Sequence, residues 1–270
     1  MQSKELLTSI EAIALFEKAG LSEATFYRKV RDEKVIDKIL PEGRTRGARY
    51  PREQVEKVIQ LERNLPSEKK DEPATETDWV QTNDLPYILA YDLEMYGIEN
   101  TVDISITHAW WKKNPYMCHI LFEKKDRRNI WGGITIIPMK EEKIFQLLKG
   151  ELEERDIKPD DILIYEPGKE YYGYIASATV KPEHRNHFRS LLRNILAYWC
   201  EQYPNIRFKK LYAYASSSEG WDLVSHLFFA PRYDIGENAF ELDPYRRNPS
   251  KVITEFQHCI QNKDNSKLKR

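Results

Sequence analysis

The sequence predicts two domains: a small, basic, helical N-terminal module and a larger α/β (α+β) domain built on a mixed sheet. Three observations carry this. Residues 66–77, PSEKKDEPATET, hold two prolines, dense charge and no large apolar side chain, which marks a solvated linker. Before the linker the apolar residues recur at helical spacing, and residues 24–52 carry nine Lys or Arg against four Asp or Glu in a chain of net charge −1. After it, apolar runs of strand length alternate with helical ones as far as about residue 250. A hydrophobic fraction of 41% over 270 residues supplies enough apolar side chains for two cores.

The N-terminal module spans residues 1–65. Thr8 and Glu11 have the capping-box spacing and open a helix through Ala12, Ile13, Leu15 and Phe16 that Gly20 ends. Ser22 caps a second helix. On it Phe26 and Val30 share a buried face, while Ala24, Tyr27, Arg28 and Arg31 fall on the opposite one. A small residue, a phenol and two guanidiniums on one exposed face suit a helix laid in a DNA major groove. The other reading of that face is a solvated basic surface. Gly43 and Gly47 then bracket Arg44 and Arg46 in a tight loop, with Arg49 just after it. Such arginines reach phosphates or a minor groove, as Thr25 and Lys29 would beside the helix. Pro51 fits the first turn of a third helix that buries Val55, Val58 and Ile59.

The runs Thr25 to Val35, TFYRKVRDEKV, and Gly47 to Val55, GARYPREQV, resemble the winged helix-turn-helix of the MerR and excisionase families. That resemblance implies double-stranded DNA as a partner and transcription regulation as a role. It covers about sixty residues, and Glu33 stands where the family has a glycine after the recognition helix. A single small reader binds weakly, so pairing of two copies, or another protein partner, is expected.

The larger domain, residues 78–250, reads as follows. Residues 84–97 form a helix, and a short one surrounds Trp110 and Trp111. Residues 116–125 and 130–139 are strands joined by a polar turn at Asp126 to Asn129. Residues 140–157 form a helix, and 161–168 and 171–180 are strands. The strongest periodicity, Phe188, Leu191, Leu192, Ile195, Leu196 and Trp199, marks a helix begun at Pro182. Residues 207–216 form a strand, 220–230 a helix and 237–244 a final strand.

The stretch Ala178 to Leu192, ATVKPEHRNHFRSLL, resembles the central strand-to-helix turn of the GCN5-related N-acetyltransferase (GNAT) fold. The resemblance implies a coenzyme site at Val180, Arg185, Asn186, His187, Arg189 and Ser190. There a helix N-terminus would cradle the pyrophosphate of acetyl-coenzyme A. Phe188 and Ser190 replace the small loop residues, and Phe228 replaces a later glycine. The expectation is therefore a GNAT-like fold without a cofactor, kept as a sensor or assembly domain. Working acetyl transfer with acetyl-coenzyme A, and a pure protein-interaction module, are the alternatives. Arg185, Arg189 and Arg193, four apart, form a ridge for a phosphorylated ligand or a solvated edge. Tyr233 and Glu166 are the candidate general acid and base.

Other signals are sparse. Cys118, Cys200 and Cys259 are distant and odd in number, so free thiols in a reducing cytoplasm are expected. His184 and His187 lie three apart without a third ligand and read as an exposed pair, so no metal is expected. No apolar run reaches membrane-span length, so no membrane association is expected. Residues 251–270 read as a short amphipathic helix and a disordered polar tail.

Overall fold

A computed structural model describes residues 5–31, 33–41, 47–64 and 73–267. The chain divides into two compact units, Met1–Glu72 and Pro73–Arg270. Arg44 and Arg46 lie outside the described residues, as does most of the linker.

In the first unit, strand β1 (Leu6–Thr8) leads into helix α1 (Ser9–Lys18). The capping box forms: the Glu11 amide donates to the Thr8 hydroxyl at 3.2 Å, and Glu11 Oε2 accepts the Thr8 amide at 2.7 Å. Gly20 at φ +80° closes α1. The Gly20 amide donates to the Glu17 carbonyl and the Leu21 amide to that of Phe16, both at 2.9 Å. The Ser22 hydroxyl then accepts the Thr25 amide at 3.2 Å and starts α2 (Glu23–Arg31). An antiparallel bridge from Ile39 to Arg49 closes a loop before β2 (Arg49–Pro51), which pairs antiparallel with β1. Helix α3 (Arg52–Asn64) follows. Phe26, fully buried, meets Phe16 at 5.4 Å and Tyr50 at 5.0 Å between ring centres. Val30, Val55 and Val58 complete the core.

The second unit is a mixed α+β domain. Its elements are β3 (Thr75–Trp79), α4 (Leu85–Tyr96), α5 (Ile104–Lys113), β4 (Cys118–Glu123), β5 (Asp126–Met139), α6 (Glu141–Leu148), β6 (Lys169–Val180), α7 (Phe188–Gln202), β7 (Ile206–Tyr214), α8 (Ser218–His226), β8 (Ala230–Pro231), β9 (Ala239–Leu242) and α9 (Lys251–Lys267). The seven strands run in the order β3-β4-β5-β6-β7-β9-β8. All neighbours are antiparallel except β6 and β7, whose crossover is α7. Helices cover both faces: α4, α5 and α6 on one, α7, α8 and α9 on the other.

Several boundaries differ from the sequence reading. Strand β3 begins inside the stretch assigned to the linker, pairing Thr75 with Glu123. The β4–β5 turn is Lys124-Lys125, because Asp126 already pairs with Glu123. Helix α6 stops at Leu148, where Gly150 at φ +72° forms the same closure as Gly20. Residues 161–168 form no strand beyond one bridge, Ile162 to Met139: Asp161 ends a 3₁₀ turn, and Pro167-Gly168 makes another turn with Gly168 at φ +83°. Side chains serve their backbone instead: the Tyr171 hydroxyl donates to the Ile164 carbonyl, and Asn114 Nδ2 to that of Leu163. The segment 182–187 is a 3₁₀ turn, so α7 begins at Phe188. The expected disordered tail is helical through Lys267. Cys200 and Cys259 are disulfide-bonded, contrary to the expected free thiols; Cys118 alone is free.

Candidate functional site

The site lies where the sheet opens. The β5–β6 register shifts by one residue at a single point, between Thr135 and Ile136, so Ala176 is an extra residue on β6. Such a bulge bends its strand and raises the local twist. The β6–β7 ladder ends at this point: Ile175 pairs with Ala213, and β6 runs on to Val180 with no partner strand on that side. A central strand covered by helices on both faces should be buried. Ile175, Ala176, Ser177, Ala178 and Thr179 are instead all half-buried, so a cleft opens between the carboxyl ends of the two parallel strands.

The α4 face of this cleft is lined with hydroxyls. Thr179 Oγ1 lies 2.9 Å from the Tyr91 hydroxyl and 2.9 Å from that of Tyr96. The Ser177 hydroxyl donates to Thr135 Oγ1 at 3.2 Å, and the Tyr174 hydroxyl to Glu154 Oε1 at 2.7 Å. Tyr214 is the first β7 residue past the last pair, and its hydroxyl accepts Asn238 Nδ2 at 3.3 Å. Asp92 sits on α4 between the two tyrosines. Burial, aided by the Glu154 charge, pushes its carboxyl up to about 7. Burial also raises Glu154, against the hydrogen bond from Tyr174. The Glu154 charge acts on Asp92, so the two carboxyls share a partly desolvated site. A carboxyl poised near neutrality can accept a proton from an attacking group. The Cys118 thiol, pushed up to about 12 by burial, stays protonated and is no nucleophile at neutral pH.

The fold gathers the coenzyme-site residues of the sequence reading at the same end of the sheet. Val180 is buried at the end of β6, Arg185 and Asn186 lie on the 3₁₀ turn, and Arg189 and Ser190 are exposed in the first turn of α7. Phe188 packs its ring against the core beneath α7, in register with Leu191 and Ile195. The His184–His187 pair is not exposed: His184 stacks on Trp131 with centres 3.7 Å apart and planes 5° apart, and His187 tilts against the same indole at 5.7 Å. Among the described residues no three His, Cys, Asp or Glu side chains converge on a metal position. Of the arginine ridge, Arg193 is bidentate to Glu255 on α9 at 2.8 and 3.0 Å, while Arg185 stands exposed 3.9 Å from Glu219 and Arg189 is exposed.

The expected acid and base do not assemble. Glu166 lies before β6 at the opposite end of the sheet, 2.7 Å from Lys169. Tyr233 follows β8 near the open end, but its ring is 70% exposed. The better-placed groups, Asp92, Glu154, Tyr174 and Tyr214, were not singled out from sequence. Asp92 reads as one polar residue in a helix and Glu154 as part of the acidic run ELEERD. The only available signal was the small, half-polar stretch Ala176-Ser177-Ala178-Thr179 in a strand that should have been apolar.

In the N-terminal unit Arg28 and Arg31 are exposed on α2, as is Arg49 on β2. Arg31 lies 4.9 Å over the half-buried Tyr27 ring, and Arg28 is 3.2 Å from Glu33. Thr25 serves the helix cap, sharing a 3.0 Å hydroxyl contact with Ser22. Ala24 belongs to α2, but its side chain lies outside the described residues. Lys29, expected at a phosphate, is drawn inward between Glu33 and Glu62 at 2.6 Å each, which raises its pKa.

No family model matches the chain, and no curated protein matches it. Among solved structures, the chain is similar to the loading GNATL domain of CurA from Lyngbya majuscula, at 15% identity and TM-score 0.39 over 67% of this chain and 82% of that one. It is similar to the GNAT family N-acetyltransferase YhbS from Escherichia coli in complex with CoA, at 10% identity and TM-score 0.40 over 63% and 82%. Likewise it is similar to Arabidopsis thaliana NAA60 in complex with a bisubstrate analogue, at 14% identity and TM-score 0.40 over 62% and 95%. No helix among the described residues is long and apolar enough to cross a membrane.

Proposed function

We propose that the larger domain binds an acyl thioester of the coenzyme A type in the cleft between β6 and β7 and transfers its acyl group to an amine. The observation that carries this is the bulge at Ala176 at the point where β6–β7 pairing stops. It leaves the backbone N–H and C=O groups of one β6 edge open to an extended, amide-containing arm. The GNAT resemblance of residues 178–192 supports the same reading, because its motif falls on the strand end and helix start beside that cleft.

In this reaction the amine nitrogen attacks the thioester carbonyl, the C–N bond forms and the C–S bond breaks. Asp92 takes the proton released from nitrogen, and the departing thiolate takes a proton from the Tyr214 hydroxyl, which solvent restores. Glu154 and Tyr174 hold the carboxyl pair in place, and the Thr179 bonds to Tyr91 and Tyr96 fix the wall that Asp92 stands on. Phe188 does not oppose this reading, because its ring turns into the core.

The N-terminal unit, in this reading, is a MerR-like winged helix-turn-helix that brings the larger domain to double-stranded DNA. Arg28, Arg31 and Arg49 are its contacts, and pairing of two copies gives sufficient affinity. The exposed arginine on the Tyr27 ring supports it. Titrating the full-length protein with acetyl-coenzyme A in a calorimeter tests the first part; saturable heat is expected, and no heat at millimolar ligand would remove the acyltransferase reading. For the second part, duplex binding should weaken with salt and fall in Arg31→Ala. A salt-independent or unchanged affinity would reject the DNA role.

A further inference from the structure

The chain binds its C-terminal helix to the rest of the domain with one covalent bond, and that bond is placed for access by a reductant. Cys200 on α7 is 1% exposed, whereas Cys259 on α9 stands at the surface. The remaining attachments of α9 include Gln257 Nε2, which donates to the Pro244 and Arg246 carbonyls at 3.1 and 2.6 Å. Ile253, Phe256 and Ile260 face the core at helical spacing, and Glu255 pairs with Arg193. Near the other end, Asp264 Oδ2 accepts the Tyr203 hydroxyl at 2.9 Å, and Lys263 Nζ donates to the Glu201 carbonyl at 2.9 Å. Beyond those three apolar anchors the outward surface of α9 is polar, and residues 261–267 bring no apolar side chain. A helix of this composition has little tendency to persist once detached.

The root of α9 also joins the two helices that flank the cleft. Asn248 Nδ2 donates to the Leu227 carbonyl at the end of α8, and Glu255 holds Arg193 on α7. We propose that Cys200–Cys259 is a redox latch: a thiol-class reductant opens it, frees α9 and loosens α7 and α8 around the cleft. The thiolate of the reductant attacks the exposed Cys259 sulfur, the S–S bond breaks, and the electron pair leaves on Cys200, which takes a proton from water. A second thiol then displaces Cys259 from the mixed disulfide. The protein ends with two thiols and the reductant as its own disulfide. The latch does not depend on the acyl-transfer reading.

Hydrogen exchange on the full-length oxidised protein, before and after dithiothreitol or glutathione in native buffer, tests this. Alkylation under denaturing conditions counts the thiols, which should rise from one to three. With that rise, amides of α9 should exchange at least tenfold faster, and the Cys200→Ser/Cys259→Ser variant should reproduce the fast pattern without reductant. Full reduction with α9 exchange unchanged would overturn the latch. So would a disulfide that yields to dithiothreitol only after the domain unfolds, since it would then be a fixed staple. Opening by dithiothreitol but not by glutathione would retain the latch and assign it to dithiol reductants. Should the double variant not fold, the reduced wild-type protein gives the same comparison alone.

Discussion

Among the described residues three helices end with the same backbone closure, and one of them uses a residue ill suited to it. After α1 and α6 the left-handed position is Gly20 or Gly150; after α8 it is Phe228, at φ +56° with its ring 53% exposed. The Phe228 and Phe229 amides still donate to the Ser225 and Val224 carbonyls. A side chain in that conformation costs about 1 kcal/mol. Phe228→Gly should therefore raise stability by about 1 kcal/mol, read from the urea midpoint. No gain would mean that the ring makes compensating contacts. Asp92 gives a second residue-scale expectation. Its folded value of about 7 exceeds the ordinary 3.8, so the folded state holds the proton longer than the unfolded chain. Its contribution is complete below about pH 4 and is lost as pH rises through about 7. Asp92→Asn should flatten this fall and exceed the parent at pH 8 by up to about 4 kcal/mol. Parallel urea curves at pH 5 and 8 would contradict the assigned burial. Phe228 was legible in sequence as the residue standing where the resembled family has a glycine, whereas Asp92 was not, because desolvation belongs to the tertiary surroundings.

Among the elements, β6 carries the most consequence. Deleting Ala176 would leave every flanking side chain on its present face, since the bulge is a single inserted residue. The shortened strand should pair with β7 beyond Ile175 and close the cleft. The domain should keep its circular-dichroism spectrum and lose acyl-thioester binding by at least tenfold in calorimetry; undiminished binding would place the ligand elsewhere. The strongly periodic helices α2 and α7 were readable because a buried apolar stripe requires a fixed period, and β5 and β6 as apolar runs of strand length. Strand β3 was not, because TETDW is a polar sheet edge without alternating apolar residues. The opposite error occurred at 161–168, where a strand-like composition makes one bridge, Ile162 to Met139, with the Leu163 amide donating to the Pro138 carbonyl, while the Tyr171 and Asn114 side chains take the Ile164 and Leu163 carbonyls.

For the whole molecule, the mixed sheet of an α+β fold was legible in the chain, whereas its covalent closure was not. Cys200 and Cys259 are separated by 59 residues, and only the docking of α9 on α7 brings them together. Closing a loop of that length restricts the unfolded chain, so Cys259→Ser should lower stability by up to about 4 kcal/mol, read as a reduced urea midpoint under oxidising conditions. An unchanged midpoint would mean that the unfolded chain is already compact around that loop. The stack of His184 on Trp131 has a different kind of consequence. An indole in face-to-face contact with an imidazole has an emission that depends on that neighbour staying in place. Anything that settles on the 3₁₀ turn before α7 and shifts His184 should alter the brightness of Trp131. The chain thus carries its own optical gauge of events at the mouth of the cleft, which a Trp131→Phe variant would silence.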